Sequence, residues 1–134
     1  MNSAHLAAKT AYAPYSRFQV GAALKLANGK IIKGSNQENA AYPSGMCAER
    51  VAFWKASSDF PGIPIVSVAI AVFSKKIKVD KPVAPCGGCR QVMVETELNQ
   101  NQPFEVLFMG QEGEIIKVDS MHQLMPLPFG KELL

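Results

Sequence analysis

The chain has 134 residues and a formal net charge of +3, from 14 Lys and Arg against 11 Asp and Glu. That length suits one compact domain, expected over residues 1–134, with enough chain to bury about two thirds of its unfolded surface. A hydrophobic share of 48% against 19% charged argues against disorder, and the cations form no run that could track a phosphate backbone, so nucleic acid is not an implied partner.

Met1 to Ala8 lacks the charged start, apolar block and small-residue cleavage site of a secretory signal. The segment from Asn2 to Ala11 is Ala-rich and predicts a short first helix that Pro14 terminates. Phe18 to Leu26 reads as a strand. Asn28-Gly29 is expected to supply the positive backbone angles of a tight hairpin before Lys30 to Ser35 returns as a second strand. Asn36 to Met46 is rich in Asn, Pro, Ser and Gly and predicts a loop, followed by a helix from about Cys47 to Ser57. Ile65 to Phe73 is nearly continuously apolar and β-branched, the pattern of a central strand covered on both faces. The longest apolar stretch, from Ile63, is too short to cross a bilayer as a helix, so no membrane is implied and a cytoplasmic location is the expectation.

A second predicted helix runs from Cys86 to Leu98, then strands at Phe104–Met109 and Glu114–Val118, then a Pro-containing tail from Ser120 to Leu134 with one short helix. Strands and helices alternate in the middle while hairpins flank them. The expected fold class is α/β: three layers, α/β/α, around a mixed sheet of about five strands.

The chain carries 3 cysteines, an odd number that makes a disulfide framework improbable and suits a reducing compartment. Cys86 and Cys89 alone, in Pro85-Cys86-Gly87-Gly88-Cys89, would fit a redox pair or half of a structural zinc knuckle as well as catalysis. Cys47-Ala48-Glu49-Arg50 changes the balance. It adds a third thiol and, two residues on, a carboxylate able to move protons. Structural zinc sites are closed by four protein ligands, whereas catalytic ones keep a position open for water, and three cysteines with no evident fourth group fit the latter. All three thiols fall where a loop enters a helix, so the unpaired N–H groups favour their ionised forms. Three thiolates around Zn²⁺ leave a net negative cluster, for which Arg50 is the candidate compensation. Zinc brings the pKa of a bound water toward neutrality, and Glu49 is the adjacent carboxylate for proton transfer. Cys47 and Glu49 can converge only if Cys47 lies at an irregular helix start, because residues two apart on a regular helix diverge.

The combination of a non-ligand Glu with a Pro-Cys-x-x-Cys pair is the signature of zinc deaminases. The chain resembles the cytidine deaminase family, in particular its small three-cysteine nucleoside deaminases. The likeness extends from Ala11-Tyr12-Ala13-Pro14-Tyr15-Ser16 through Asn36-Gln37-Glu38-Asn39-Ala40 and both cysteine motifs to Leu127-Pro128-Phe129-Gly130. It implies one Zn²⁺ per chain on Cys47, Cys86 and Cys89, Glu49 as proton carrier, and hydrolysis of cytidine and 2′-deoxycytidine to the uridines plus ammonia. It also implies a substrate-binding set. Asn36, Gln37 and Glu38 form the ribose segment, with Asn36 and Glu38 on one face of extended backbone and Gln37 on the other. Phe18 would pack by the pyrimidine, the Ala48 backbone would orient the amino group, and Phe129 would reach a neighbour's site in a homotetramer. Another cytosine-containing small molecule, such as a nucleoside antibiotic, is the alternative substrate; a non-catalytic zinc or thiol-redox module is the alternative of a different class. Trp54 is expected in packing, and His5 and His122 at the surface.

Overall fold

The computed structural model describes residues 1–131, so the last residues of the expected domain and tail, 132–134, lie outside the described residues. The apolar run from Ile65 forms β3 (Ile65–Ser74), the middle strand of a five-stranded sheet. Around it the chain makes α1 (Asn2–Ala8), β1 (Phe18–Leu26), β2 (Ile31–Ser35), α2 (Ala48–Asp59), α3 (Gly87–Gln100), β4 (Glu105–Met109) and β5 (Ile115–Val118). Short 3-10 turns occupy Tyr42–Ser44 and Met121–Gln123. The strand order is β2-β1-β3-β4-β5, antiparallel except for the β3–β4 pair, which α3 joins as a crossover.

Alternation along the strands divides the core into two layers. Ala22, Leu24, Val68, Ile70, Val106 and Phe108 face α2 and α3, where Phe53 and Phe104 lie with ring centroids 5.8 Å apart. Ala23, Ala69 and Ala71 face the other way, onto Ala4 of α1. Three alanines on that side allow a short helix to sit close. The three-layer α/β expectation therefore holds.

Local differences from the sequence expectation have local causes. α1 stops at Ala8 because both the amide and the hydroxyl of Thr10 take the Ala7 carbonyl, at 3.0 and 2.8 Å. In the hairpin, Gly29 alone takes a positive φ, of 83°, while Asn28 does not. The Gly29 amide returns to the Leu26 carbonyl and the Leu26 amide to the Lys30 carbonyl, each at 2.9 Å. This is a three-residue loop with a left-handed glycine, which needs one positive angle where a two-residue turn needs two. The tail helix is a single 3-10 turn, capped by the Ser120 hydroxyl accepting from the His122 amide.

Glu97, buried on α3, ties the tail down. Its carboxylate accepts from the Phe104 amide at 3.3 Å, the Ser120 hydroxyl at 2.7 Å and the Met121 amide at 3.1 Å. At the other end of the core, α2 begins directly against β2. A Cβ on Gly34 would stand 2.4 Å from the Ala48 carbonyl oxygen and 2.5 Å from the Ala52 amide nitrogen. Gly34→Ala is expected to cost about 1–3 kcal/mol through overpacking. A calorimetric melting temperature several degrees below wild type checks it.

Candidate active site

Two helix starts bring the cysteines together. Cys47 is the N-cap of α2 (φ −70°, ψ 149°) and Cys86 the N-cap of α3 (φ −67°, ψ 165°), while Cys89 lies buried in the first turn of α3. The Cys86 and Cys89 sulfurs are 3.5 Å apart and those of Cys47 and Cys86 3.9 Å apart, with all three inside 4.8 Å of one another. Three thiolates on a tetrahedral Zn²⁺, at Zn–S distances of about 2.3 Å, stand about 3.8 Å from each other. The donor set fits that ion.

The charge on the cluster points the same way. The Cys47 thiol is held well below its ordinary range, to about 5, chiefly by a hydrogen bond from Cys89 and, against the opposing effect of burial, by Arg50 and Cys86. Cys89 is pushed strongly upward by that same bond to Cys47 and by burial. A thiolate at Cys47 is thus cheap beside Arg50, whose Nη2 donates to its sulfur at 3.6 Å, whereas one at Cys89 is costly until a cation joins it.

Glu49 occupies the first turn of α2 and is 6% exposed. Burial pushes its carboxyl up; its own backbone N–H opposes this, and the nearby charge of Cys47 raises it further. The extended backbone of Cys47 meets the sequence expectation of an irregular helix start, and Glu49 lines one cavity of about 600 Å³ together with Cys47 and Cys86. Fully buried Ala48 contributes to the same wall.

Asn36, Gln37 and Glu38 line the same cavity. The Asn36 backbone amide still donates to the Val20 carbonyl at 3.1 Å, but the Asn36 carbonyl turns to the Tyr12 amide. Its side chain accepts from the Val20 amide at 2.7 Å and donates to the Phe18 carbonyl at 2.9 Å, continuing the ladder to β1. That leaves one side-chain N–H and one lone pair without a protein partner among these bonds. The Gln37 backbone pairs with both Tyr12 and Met46, and its amide side chain reaches back to the Ser35 hydroxyl at 3.2 Å. The Glu38 carboxylate accepts from the Tyr15 and Ser16 amides, at 2.9 and 3.2 Å, and from the Ser16 hydroxyl. Burial is the largest single influence on Glu38 and pushes it up, but these donors together outweigh it and hold its pKa below the usual carboxylate value.

Apolar Val20, Ile70 and Val72 complete the wall between these polar groups. Phe18 does not line the cavity; it sits two residues before Val20, at the outer end of β1, and Val20 takes the wall position. Phe129 also lies outside it. The tail carries Phe129 along α3, where Gln91 Nε2 donates to its carbonyl at 2.8 Å and the ring is 56% exposed. Trp54 is not interior packing: it is 49% exposed, with the Arg50 guanidinium carbon 5.9 Å from its ring centroid. Two aromatics that the sequence reading gave no role, Tyr15 and Tyr42, stand at the rim with ring centroids 6.0 Å apart. The Tyr42-Pro43 pair, which starts the 3-10 turn, was the available signal.

A model of the cytidine and deoxycytidylate deaminase zinc-binding region matches residues 1–102. A cytidine deaminase of Sporosarcina psychrophila is 43% identical across 94% of this chain and 85% of its own. One from Halalkalibacterium halodurans is 51% identical over 85 residues, covering 63% of this chain and 60% of that enzyme. The crystal structure of cytidine deaminase from Burkholderia pseudomallei superposes with a TM-score of 0.82 at 38% identity, covering 96% of this chain and 94% of that one.

In metal-free protein a thiol depressed to about 5 is largely ionised at pH 6.5, whereas one pushed upward stays protonated. Iodoacetamide at that pH is expected to label Cys47 well ahead of Cys89, read by peptide mass spectrometry. Equal labelling would contradict the charge assignment.

Proposed function

The chain belongs to the cytidine and deoxycytidylate deaminase family, and on that premise we propose that it hydrolyses the 4-amino group of cytidine and 2′-deoxycytidine, giving the uridines and ammonia. One observation carries the reading: a buried carboxyl, Glu49, shares a cavity with Cys47, Cys86 and the Asn36–Glu38 segment, and Cys89 lies beside those two cysteines.

In this reading Cys47, Cys86 and Cys89 hold one Zn²⁺, which when bound supplies the Lewis acidity that makes water nucleophilic near neutral pH. Glu49 takes a proton from the attacking water on a carboxylate oxygen and delivers it to N3, then takes the proton of the hydroxyl newly bonded to C4 and gives it to the amine as the C4–N bond breaks. Burial raises its proton affinity, which suits it to hold a proton between those transfers. Arg50 offsets the negative charge of the sulfur cluster through Cys47. The backbone at Ala48 orients the 4-amino group.

For the sugar, Glu38 accepts a hydroxyl hydrogen and Asn36 offers its remaining side-chain N–H. The protein bonds that both already make support this assignment, because they hold each side chain at a set angle before any ligand arrives. A carboxylate here also favours a free nucleoside over a phosphorylated one. Assembly as a homotetramer, with Phe129 closing a neighbour's cavity, fits the exposure of that ring and the open rim at Tyr15 and Tyr42. Reduced thiols suit a cytoplasmic location, and no described helix is long and apolar enough to cross a membrane.

Glu49→Gln keeps the shape and removes the proton carrier. Turnover is expected to fall by at least about a hundredfold while zinc content by mass spectrometry stays at one ion per chain; an active variant would overturn the role. Across a panel of cytosine compounds followed by absorbance, cytidine and deoxycytidine should be the best substrates, and a clear preference for a non-nucleoside would move the assignment. Sedimentation reads the assembly, with a monomer as the contrary result.

A further inference from the structure

Cys86 is delivered to the cluster by a stretch with no regular secondary structure, from Lys78 to the start of α3. At Val79 the stretch is fastened, where the Gln111 amide donates to its carbonyl at 2.7 Å. Between Asp80 and Pro85, the hydrogen bond that holds the backbone, among the described residues, comes from Arg90. Its Nε donates to the carbonyl of fully buried Pro85 at 2.8 Å, and its Nη1 donates to the Leu124 carbonyl at 3.0 Å. The Arg90 amide meanwhile donates to the Cys86 carbonyl at 2.9 Å.

One residue therefore grips Cys86 and the residue before it, and joins both to the tail. Leu124 ends the 3-10 turn that Glu97 fastens through Met121, so its carbonyl is itself a fixed point. A guanidinium fork can span two acceptors in set directions, whereas a lysine ammonium is a point donor. We propose that Arg90 is a positioning residue for the metal cluster, clamping Pro85 to the tail turn at Leu124 so that the Cys86 sulfur is held facing Cys47 and Cys89. The proposal rests on the reading that these three cysteines hold zinc. Arg90 reaches the cluster through its neighbours' backbone and touches no reacting atom.

Groups that orient metal ligands from outside the coordination sphere typically change affinity by about 10–100-fold when removed. The test uses full-length Arg90→Gln and Arg90→Lys, titrated with zinc against a chromophoric chelator and also loaded with cobalt. Both are expected to bind zinc at least about tenfold more weakly and to show altered thiolate-to-cobalt absorption. The metal-free proteins should still melt cooperatively, and kcat for cytidine should fall with KM moving less than about twofold. Weakening of less than tenfold in either variant, or an unchanged cobalt spectrum, overturns the proposal. Arg90→Lys matching wild type assigns the effect to charge instead, and variants that lose the whole fold make Arg90 a general structural residue; either result also overturns it. Wild-type protein that takes up no zinc overturns the metal reading itself.

Discussion

Three sulfurs can share one cation only if two helices, separated in sequence by the central strand, start at the same place. The sheet enforces this. α2 rests on β2 at Gly34, where close backbone approach fixes the height of its first turn, and α3 begins where the crossover from β3 toward β4 enters the same layer. Cys47 and Cys86 cap these two helix starts, where the positive ends of the helix dipoles favour thiolate before any metal arrives.

Within the cavity, two glutamates of the same intrinsic acidity are driven apart by their surroundings. Glu38 is an acceptor for two amides and a hydroxyl and is held as a carboxylate; Glu49 is buried among sulfur and alkyl groups and is pushed toward its protonated form. One suits a hydrogen-bond acceptor for a sugar and the other a proton carrier. The two proposed roles need no difference in residue type, only in the groups that surround each.

Much of this was legible in the sequence. The apolar run from Ile65 marked the centre of the sheet, and the cysteine spacings marked both helix starts, because these signals are local and the cap residues are themselves the chemical groups. The hairpin turn was read one residue too tight, since Asn-Gly serves two- and three-residue loops alike. Tyr42 and Tyr15 escaped assignment because their meeting depends on how the Asn36–Met46 loop folds back on Tyr12, which no local pattern encodes. Phe18 came from the family resemblance alone, and the strand pattern does not say that Val20, two residues on in β1, is the one that lines the cavity. The clamp at Arg90 was hidden for a similar reason: its acceptor at Leu124 is 34 residues away.

The side-chain amide of Asn36 stands in for a missing peptide group, satisfying Val20 and Phe18 where the main chain departs from the sheet. If Asn36 meets the sugar as proposed, sugar preference and architecture are coupled at this position. A replacement chosen to admit a different sugar would also unzip the border of β1 beside the cavity, so retuning selectivity there calls for a compensating change elsewhere on that border.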